Sequence, residues 1–170
     1  MEKYIGGALI YVGIPNSAYK TYLLKKSGKG EVVKINPLLL AGPDCGRHLE
    51  ILTFFDEFGK PKIISPYEKS EYFKYQIRVG KSQKTIQKKL LKFYKLYNSI
   101  KNKYDYKQGY IIVTEDGIRL DGSHRSAIVS YLKIDKIKVK EIDWKKMLSG
   151  KNAKNFGLQI NKQKKVYGIL

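Results

Sequence analysis

The chain has 170 residues, of which 42% are hydrophobic, and this size and composition suit one domain with a substantial core. Its formal net charge is +19, from 34 basic and 15 acidic residues. Such a charge favours anionic partners (nucleic acid, nucleotides, phosphosugars or an acidic membrane surface), although lysines spread over solvated faces also keep a protein soluble. The single cysteine excludes an internal disulfide framework and a cysteine-rich zinc site.

The N-terminal apolar stretch from Tyr4 to Ile14 is too short to span a bilayer, and the residues before it do not form a basic leader. We therefore expect a cytoplasmic protein without a membrane span. Three stretches rich in apolar or β-branched residues predict strands, the first of them within Tyr4–Ile14: Ile5–Val12, Tyr19–Leu24 and Glu31–Ile35.

The middle of the chain is harder to interpret. Gly42 to Gly46 has the composition of a loop, and His48–Phe55 fits either a strand or a helix. Pro61–Tyr67 predicts a strand and a turn, and a tyrosine-rich charged segment follows it.

The segment from Ser82 to Lys101 has the periodicity of an amphipathic helix, with Ser82 as its cap. Its apolar residues recur every three or four positions: Ile86, Leu90, Phe93, Tyr94, Tyr97 and Ile100. The remaining pattern predicts, in order, a strand at Tyr110–Val113, an Asp-Gly turn at 115–117, a strand at Ile118–Leu120, a helix at His124–Leu132 and a strand around Ile137 and Val139. In the helix, the predicted buried residues are Ala127, Ile128, Tyr131 and Leu132.

These elements predict an α+β fold with a small mixed sheet and flanking helices. Residues 1–143 are expected to form one domain with an elaborated N-terminal half and a core motif region at 82–143. The lysine-rich residues 144–170 are expected to form a basic C-terminal extension.

The run Asp121-Gly122-Ser123-His124-Arg125 has the chemistry of an anion site. Gly122 allows a sharp turn, and Ser123 is expected to cap a helix that begins at His124. The first N–H groups of a helix have no acceptor within it, and its dipole is positive at this end. His124 and Arg125 add side-chain donors, so a phosphate is the expected ligand. Asp121 fits a Mg²⁺ ligand or a base beside an acceptor hydroxyl.

Around this motif, Tyr110 to Ile142 resembles the N-terminal domain of the ParB/sulfiredoxin superfamily. ParB proteins carry a Gly-Glu-Arg-Arg motif at the corresponding turn and sulfiredoxins carry Gly-Cys-His-Arg. The free-serine kinases of the same superfamily carry Asp-Gly-x-His-Arg, the version most similar to 121–125. Related stand-alone domains often accompany surface-polysaccharide biosynthesis. With the preceding helix, the resemblance covers about residues 82 to 143, and it implies a ParB/sulfiredoxin-like fold that binds a nucleotide.

The departures from these relatives narrow the function. Ser123 replaces the reactive cysteine of sulfiredoxin, which disfavours sulfinic-acid repair. Ser123 and His124 replace the acidic residue and the first arginine of the ParB motif, and no helix-turn-helix pattern follows, which disfavours a DNA-partition protein. The structural alternative is that Asp121 and Ser123 only cap a helix while Arg125 pairs with a carboxylate.

Two weaker clusters complete the candidate site. Asp44, Arg47 and His48 are expected to hold an acceptor substrate, or else to belong to an ordinary Gly-Pro loop. Arg78 and Lys81 precede the long helix and are expected to meet a second phosphate, or else to form a solvated basic turn. Gly80-Lys81-Ser82 lacks the earlier glycine of a P-loop and is rejected as one.

Arginine is rare in this chain, and the four arginines are Arg47, Arg78, Arg119 and Arg125. The first function hypothesis is an ATP- or ADP-dependent kinase of a small hydroxyl-bearing metabolite (an amino acid, a polyol or a sugar), with Mg²⁺ as cofactor. Asp121 and His124 would be its catalytic residues. The second is a ParB-like nucleotide switch or a nucleic-acid-binding module without kinase activity. Tyr67, Tyr72 and Tyr75 are the candidates for base stacking in that module.

Overall fold

The computed structural model describes residues 31–34, 45–104, 111–114, 119–134 and 136–143, together with residues 145, 150, 154, 157, 158 and 161. We number the described elements in chain order. The strands are β1 (Glu31–Lys34), β2 (Ile111–Thr114), β3 (Arg119–Asp121) and β4 (Lys136–Ile142). The α-helices are α1 (Cys45–Phe58), α2 (Glu71–Arg78), α3 (Gln83–Asn102) and α4 (Ser123–Tyr131), and a 3-10 helix covers Ser65–Lys69.

The four described strands form one mixed sheet in the order β1-β4-β2-β3. β4 is antiparallel to β1 and parallel to β2, and β2 is antiparallel to β3 with a register shift between Ile112 and Val113. The parallel pair requires the chain to cross over between β2 and β4, and it does so through β3 and α4. The predicted α+β class with a small mixed sheet is confirmed. β1, β2 and β3 lie within one residue of their predicted bounds, and β4 contains the predicted Ile137 and Val139 but extends to Ile142.

α3 is the centre of the helical layer. Its predicted apolar face is confirmed for five of six residues, since Tyr94 is only partly buried. The Ser82 hydroxyl caps the helix by accepting a hydrogen bond from the backbone N–H of Thr85, as predicted. The core that this layer forms contains thirteen buried residues: Ile51, Leu52, Phe55, Tyr67, Tyr72, Phe73, Ile86, Leu90, Phe93, Tyr97, Ile100, Ala127 and Ile128.

α4 lies between the helical layer and the sheet. Ala127 and Ile128 belong to the helical core, whereas Val129 packs with Ile111 and Val139 in a second cluster on the sheet. Ser126 to Ser130 are consequently all buried, while the predicted core residues Tyr131 and Leu132 are only partly buried. A helix enclosed on two sides has no single apolar stripe, which is why its periodicity was a poor guide to its buried face.

The ambiguous segment at His48–Phe55 is helical. His48, Ile51, Leu52 and Phe55 follow the spacing of one helix face, and all four are buried. The helix begins at Cys45, so Cys45 and Gly46 do not belong to a loop as predicted.

The prediction of a strand within Pro61–Tyr67 is wrong. Pro66 lies in the first turn of the 3-10 helix, where its fixed φ is compatible with helical backbone and its missing N–H costs nothing. Tyr67 is buried in the core, with its hydroxyl donating to the carbonyl of Gly59, and so is unavailable for base stacking.

The tyrosine-rich segment forms α2. The Ser70 hydroxyl caps it by accepting from the N–H of Phe73. At its C-terminus, Gly80 has φ +77°, and the N–H groups of Gly80 and Lys81 donate to the carbonyls of Ile77 and Gln76. This is a Schellman motif, so Gly80 terminates a helix and does not cradle a phosphate, in agreement with the rejected P-loop.

Several predictions lie outside the described residues. They are the strands at Ile5–Val12 and Tyr19–Leu24, the turn at 115–117 and most of the C-terminal extension. The domain boundary at 143/144 therefore stays a prediction. Within the described part of the chain, no helix is long and apolar enough to cross a membrane.

Asp56 of α1 joins three helices at one carboxylate. Its Oδ1 accepts hydrogen bonds from Tyr97 Oη and Lys101 Nζ of α3, both at 2.7 Å, and its Oδ2 accepts one from Tyr131 Oη of α4 at 2.7 Å. Partial burial raises the pKa of Asp56, but the hydrogen bonds from Lys101, Tyr131 and Tyr97 outweigh it and hold the pKa below the ordinary 3.8. The ionised carboxylate therefore holds α1 against α3 and α4.

We expect Asp56→Asn to lower the free energy of unfolding at neutral pH by about 1–2 kcal/mol, a range reduced because the carboxylate is 38% exposed. Since the pKa of Asp56 is lower in the folded state, its contribution is present above pH 3.8 and is lost as the pH falls through the folded pKa. Urea unfolding at a series of pH values should show that the free energy of unfolding of the variant falls less steeply in acid than that of the wild type. Glu57→Gln, at the exposed neighbouring position, is the control, and parallel pH curves for Asp56→Asn and the wild type would contradict the assignment.

Candidate functional site

A cavity of about 500 Å³ opens between α1, α2, α3 and the N-terminus of α4. Its volume lies in the range of small-molecule sites. Its described lining residues are Arg47, His48, Tyr72, Tyr75, Gln76, Lys89, Lys92, Phe93, Leu96, Ser123 and His124. Three of these are cationic and none is a carboxylate, so the lining is selective for an anion.

The N-terminus of α4 contributes Ser123 and His124 to the cavity. Gly122 precedes them as the N-cap, with φ +95° and ψ +27°, a left-handed conformation that confirms the sharp turn predicted for this glycine. The prediction that Ser123 caps the helix is wrong, because the helix begins at Ser123 itself and the N-cap makes no side-chain hydrogen bond. Ser123 thus lies within the first turn, beside the positive end of the helix dipole.

An aromatic cluster forms the inner wall of the cavity. The His124 ring lies 4.2 Å from the Phe93 ring and 4.6 Å from the His48 ring, measured between centroids, the two imidazoles meeting edge-on. Tyr72 contacts both imidazoles, at 5.6 Å from His48 and 6.4 Å from His124. Burial raises the pKa of Tyr72 to about 12, so its phenol stays protonated and can act only as a neutral wall or donor.

The basic residues hold the outer part of the cavity. The Arg47 guanidinium carbon lies 4.0 Å from the centroid of the Tyr75 ring, a cation–π contact that orients it. Lys89 Nζ donates to Gln76 Oε1 at 2.8 Å. Partial burial and the positive charge of Lys81 lower the pKa of Lys89, so an anion bound next to it would relieve an unfavourable charge.

Two predicted clusters that are far apart in the sequence are brought together here. Arg47 and His48, predicted to hold an acceptor, line the same cavity as Ser123 and His124 of the 121–125 motif. They meet because α1 packs directly against α4. Asp44 lies outside the described residues.

Other predicted residues are not among the described lining residues. Asp121 ends β3 and is partly buried, and Arg125 lies in the first turn of α4 and is partly buried. Arg78 forms an exposed ion pair, with its Nη2 3.8 Å from Glu71 Oε2, and Lys81 is exposed between α2 and α3. The roles predicted for these four side chains stay predictions.

The sequence interpretation missed most of the contribution of α3. Lys89, Lys92, Phe93 and Leu96 all line the cavity, but in the sequence they read as the ordinary polar and apolar faces of an amphipathic helix. Gln76 was also missed. The one sequence signal for a site on α3 was that Phe93 lies beside Lys89 and Lys92 on one side of the helix. That signal becomes informative only when it is known that this side of α3 faces α1, α2 and α4.

Metal-ligand geometry is absent from the described residues, where no three His, Cys, Asp or Glu side chains lie close enough together to hold an ion. Mg²⁺ in proteins is held by one or two carboxylates together with substrate phosphates and water, a requirement that Asp121 and a bound nucleotide would meet jointly. Mg²⁺ at Asp121 therefore stays a proposal.

Comparison of the chain with protein-family models, with curated proteins and with solved structures gives no significant match. The function is therefore argued from the chemistry of the cavity and of the 121–125 motif.

Proposed function

We propose that the cavity binds the phosphates of a nucleotide, ATP or ADP, and that the protein transfers phosphate to a small hydroxyl-bearing metabolite. The observation that supports the proposal most strongly is the meeting of Arg47, Lys89 and Lys92 with the N-terminus of α4 in one cavity whose described lining has no carboxylate. A helix N-terminus, a guanidinium and two ammonium groups are the usual means of binding phosphates.

The cavity offers groups for both parts of a nucleotide. Ser123 and His124 offer the terminal phosphate a hydroxyl, an imidazole and the N–H groups of the first turn of α4. The partly exposed side chains of Tyr75 and Leu96 offer apolar surface for a base. Arg47, Lys89 and Lys92 would neutralise the remaining charge.

The proposal includes a ParB/sulfiredoxin-like fold. The succession β2, β3, α4, β4, with Asp121 to Arg125 at the turn between β3 and α4, has the order of elements that the sequence resemblance implies. Mg²⁺ would neutralise the nucleotide phosphates when bound. His124 would stabilise the charge that develops on the transferred phosphoryl group, and Asp121 would orient or deprotonate the acceptor hydroxyl.

A specific observation favours a second candidate, nucleotide binding without transfer. Phosphoryl transfer to a hydroxyl usually employs a carboxylate as base or orienting group, and Asp121 is not among the described lining residues. A described lining of hydrogen-bond donors and apolar side chains without a carboxylate suits nucleotide binding but offers no base to activate an acceptor.

One experiment separates these functions. The purified protein is incubated with ATP or ADP, Mg²⁺ and a pool of serine, polyols and sugars, and phosphate transfer is followed by phosphorus NMR alongside calorimetric measurement of nucleotide binding. We expect an acceptor-dependent phosphomonoester signal that is lost in Asp121→Asn. Binding without transfer or hydrolysis would establish the second candidate, and the absence of nucleotide binding would contradict both.

A further inference from the structure

A row of four lysines lies along the solvent-exposed face of α3. Lys84, Lys88, Lys92 and Lys95 are spaced by four, four and three residues, which places them on one face of the helix, and all four are exposed. None of them forms an ion pair with a carboxylate of the described residues, where the ion pairs involve Lys74, Arg78 and Lys101. We call these four residues the α3 lysine row.

The α3 lysine row works against the stability of its own helix. Like charges separated by four residues repel one another, and α3 contains no aspartate or glutamate to offset them. Lys84 lies in the first turn, where the helix dipole is positive and an acidic residue would be favoured. Solubility alone is satisfied by lysine mixed with acidic residues, as on most protein surfaces. An uninterrupted row of one charge is better explained by a ligand that supplies the opposite charge.

The α3 lysine row is continuous with the cavity. Lys92 belongs to the row and also lines the cavity, and Lys89, which directly follows Lys88 of the row, lines it too. The partly exposed ring of Tyr75 stands in the same cavity. Positive charge therefore extends from the N-terminus of α4, through the cavity, and out along about 16 Å of α3.

We propose that the α3 lysine row and the cavity together bind a single-stranded nucleic acid, with successive backbone phosphates on the row and a terminal phosphate at Ser123 and His124. A length of about 16 Å accommodates several phosphates of one strand. A single strand fits better than a duplex because the partly exposed Tyr75 ring of the cavity can stack only on an unpaired base. The position of the terminal phosphate rests on the proposed function, since it is the position given there to the nucleotide phosphate.

The test is fluorescence anisotropy of the full chain with labelled oligonucleotides of about 12 residues, a length within the range of single-strand sites. Oligothymidine and oligouridine are used with a 5′-phosphate, with a 3′-phosphate and with neither, and a duplex of equal length is included. The variant Lys84→Gln/Lys88→Gln neutralises part of the row outside the cavity. Lys60→Gln/Lys133→Gln removes the same charge from exposed positions outside α3.

We expect the single strand with a terminal phosphate to bind more tightly than the unphosphorylated strand and the duplex. The row variant should bind this strand about tenfold more weakly than the control variant. The slope of log affinity against log salt should become shallower by about 1.4, because each of the two lost phosphate contacts contributes about 0.7 to that slope. Equal affinity of the two variants, no effect of a terminal phosphate, or tighter binding of the duplex would each overturn the proposal.

Binding of ATP and ADP to the same variants separates this proposal from the proposed function. The row variant should bind mononucleotides as the wild type does, because Lys84 and Lys88 do not line the cavity. Mononucleotide binding without binding of the single strand would overturn the nucleic-acid proposal alone, whereas the absence of mononucleotide binding would overturn the proposed function.

Discussion

Phe93→Ala is expected to lower the free energy of unfolding by about 3–5 kcal/mol, a large part of the roughly 5–15 kcal/mol that stabilises a domain. Phe93 is 1% exposed, and its ring meets that of Phe55 edge-to-face at 5.4 Å between centroids. Removing the Phe93 ring would leave a void at the contact of α1 with α3. It would also remove the ring against which His124 packs. Urea unfolding followed by circular dichroism measures the change, and a loss below about 1 kcal/mol would mean that Phe93 does not anchor this contact.

The effect of Phe93 on the cavity can be separated from its effect on stability by two further variants. Phe93→Leu keeps an apolar side chain of similar volume and should cost less than about 1.5 kcal/mol, while removing the flat ring beside His124. Leu90→Ala removes a fully buried residue of the same helix that does not line the cavity, at a cost of about 2–5 kcal/mol. We expect Phe93→Leu to weaken nucleotide binding and Leu90→Ala, measured where it is folded, to preserve it. The opposite order would place the ligand elsewhere.

Periodicity was sufficient to predict α3, because five residues repeating every three or four positions define a single buried face. It was insufficient for the 61–78 region, where the result depends on tertiary contacts. Tyr67 and Tyr72 are buried by aromatic neighbours from α1 and α3, and no local pattern announces such burial. Short elements of this kind are stabilised by packing more than by propensity.

The candidate site was predictable only in part for a similar reason. Gly122 and the helix after it follow from local chemistry, since a glycine before a helix start tolerates the positive φ found there. Arg47 and His48 lie in the same cavity as His124 because α1 packs on α4. This packing joins residues more than 70 positions apart, and no local sequence pattern predicts it. Arg125 illustrates the opposite case, since its rarity and its place in the motif made it prominent in the sequence while His124 is the residue that lines the cavity.

His124→Ala is expected to weaken ADP binding by about 1.5–3 kcal/mol, or about tenfold to 150-fold in Kd, because it removes a donor to a charged phosphate. Arg125→Ala, the neighbouring change, is expected to have the smaller effect, since Arg125 is not among the described residues that line the cavity. Isothermal titration calorimetry of both variants measures the difference, with urea unfolding to confirm that each is folded. His124→Asn, which keeps a side-chain donor, should recover part of the affinity.

The comparison of these two residues locates the phosphate on one side of the N-terminus of α4. Both side chains project from the first turn of the helix, but only His124 reaches the cavity formed with Arg47 and Lys92. If Arg125→Ala lost the affinity and His124→Ala kept it, the phosphate would lie on the side of Asp121 and β3, and the basic cavity would be left for an acceptor. If His124→Ala lost the affinity for ADP, the cavity is the nucleotide site. The carboxylate that acts on an acceptor must then come from outside the described lining.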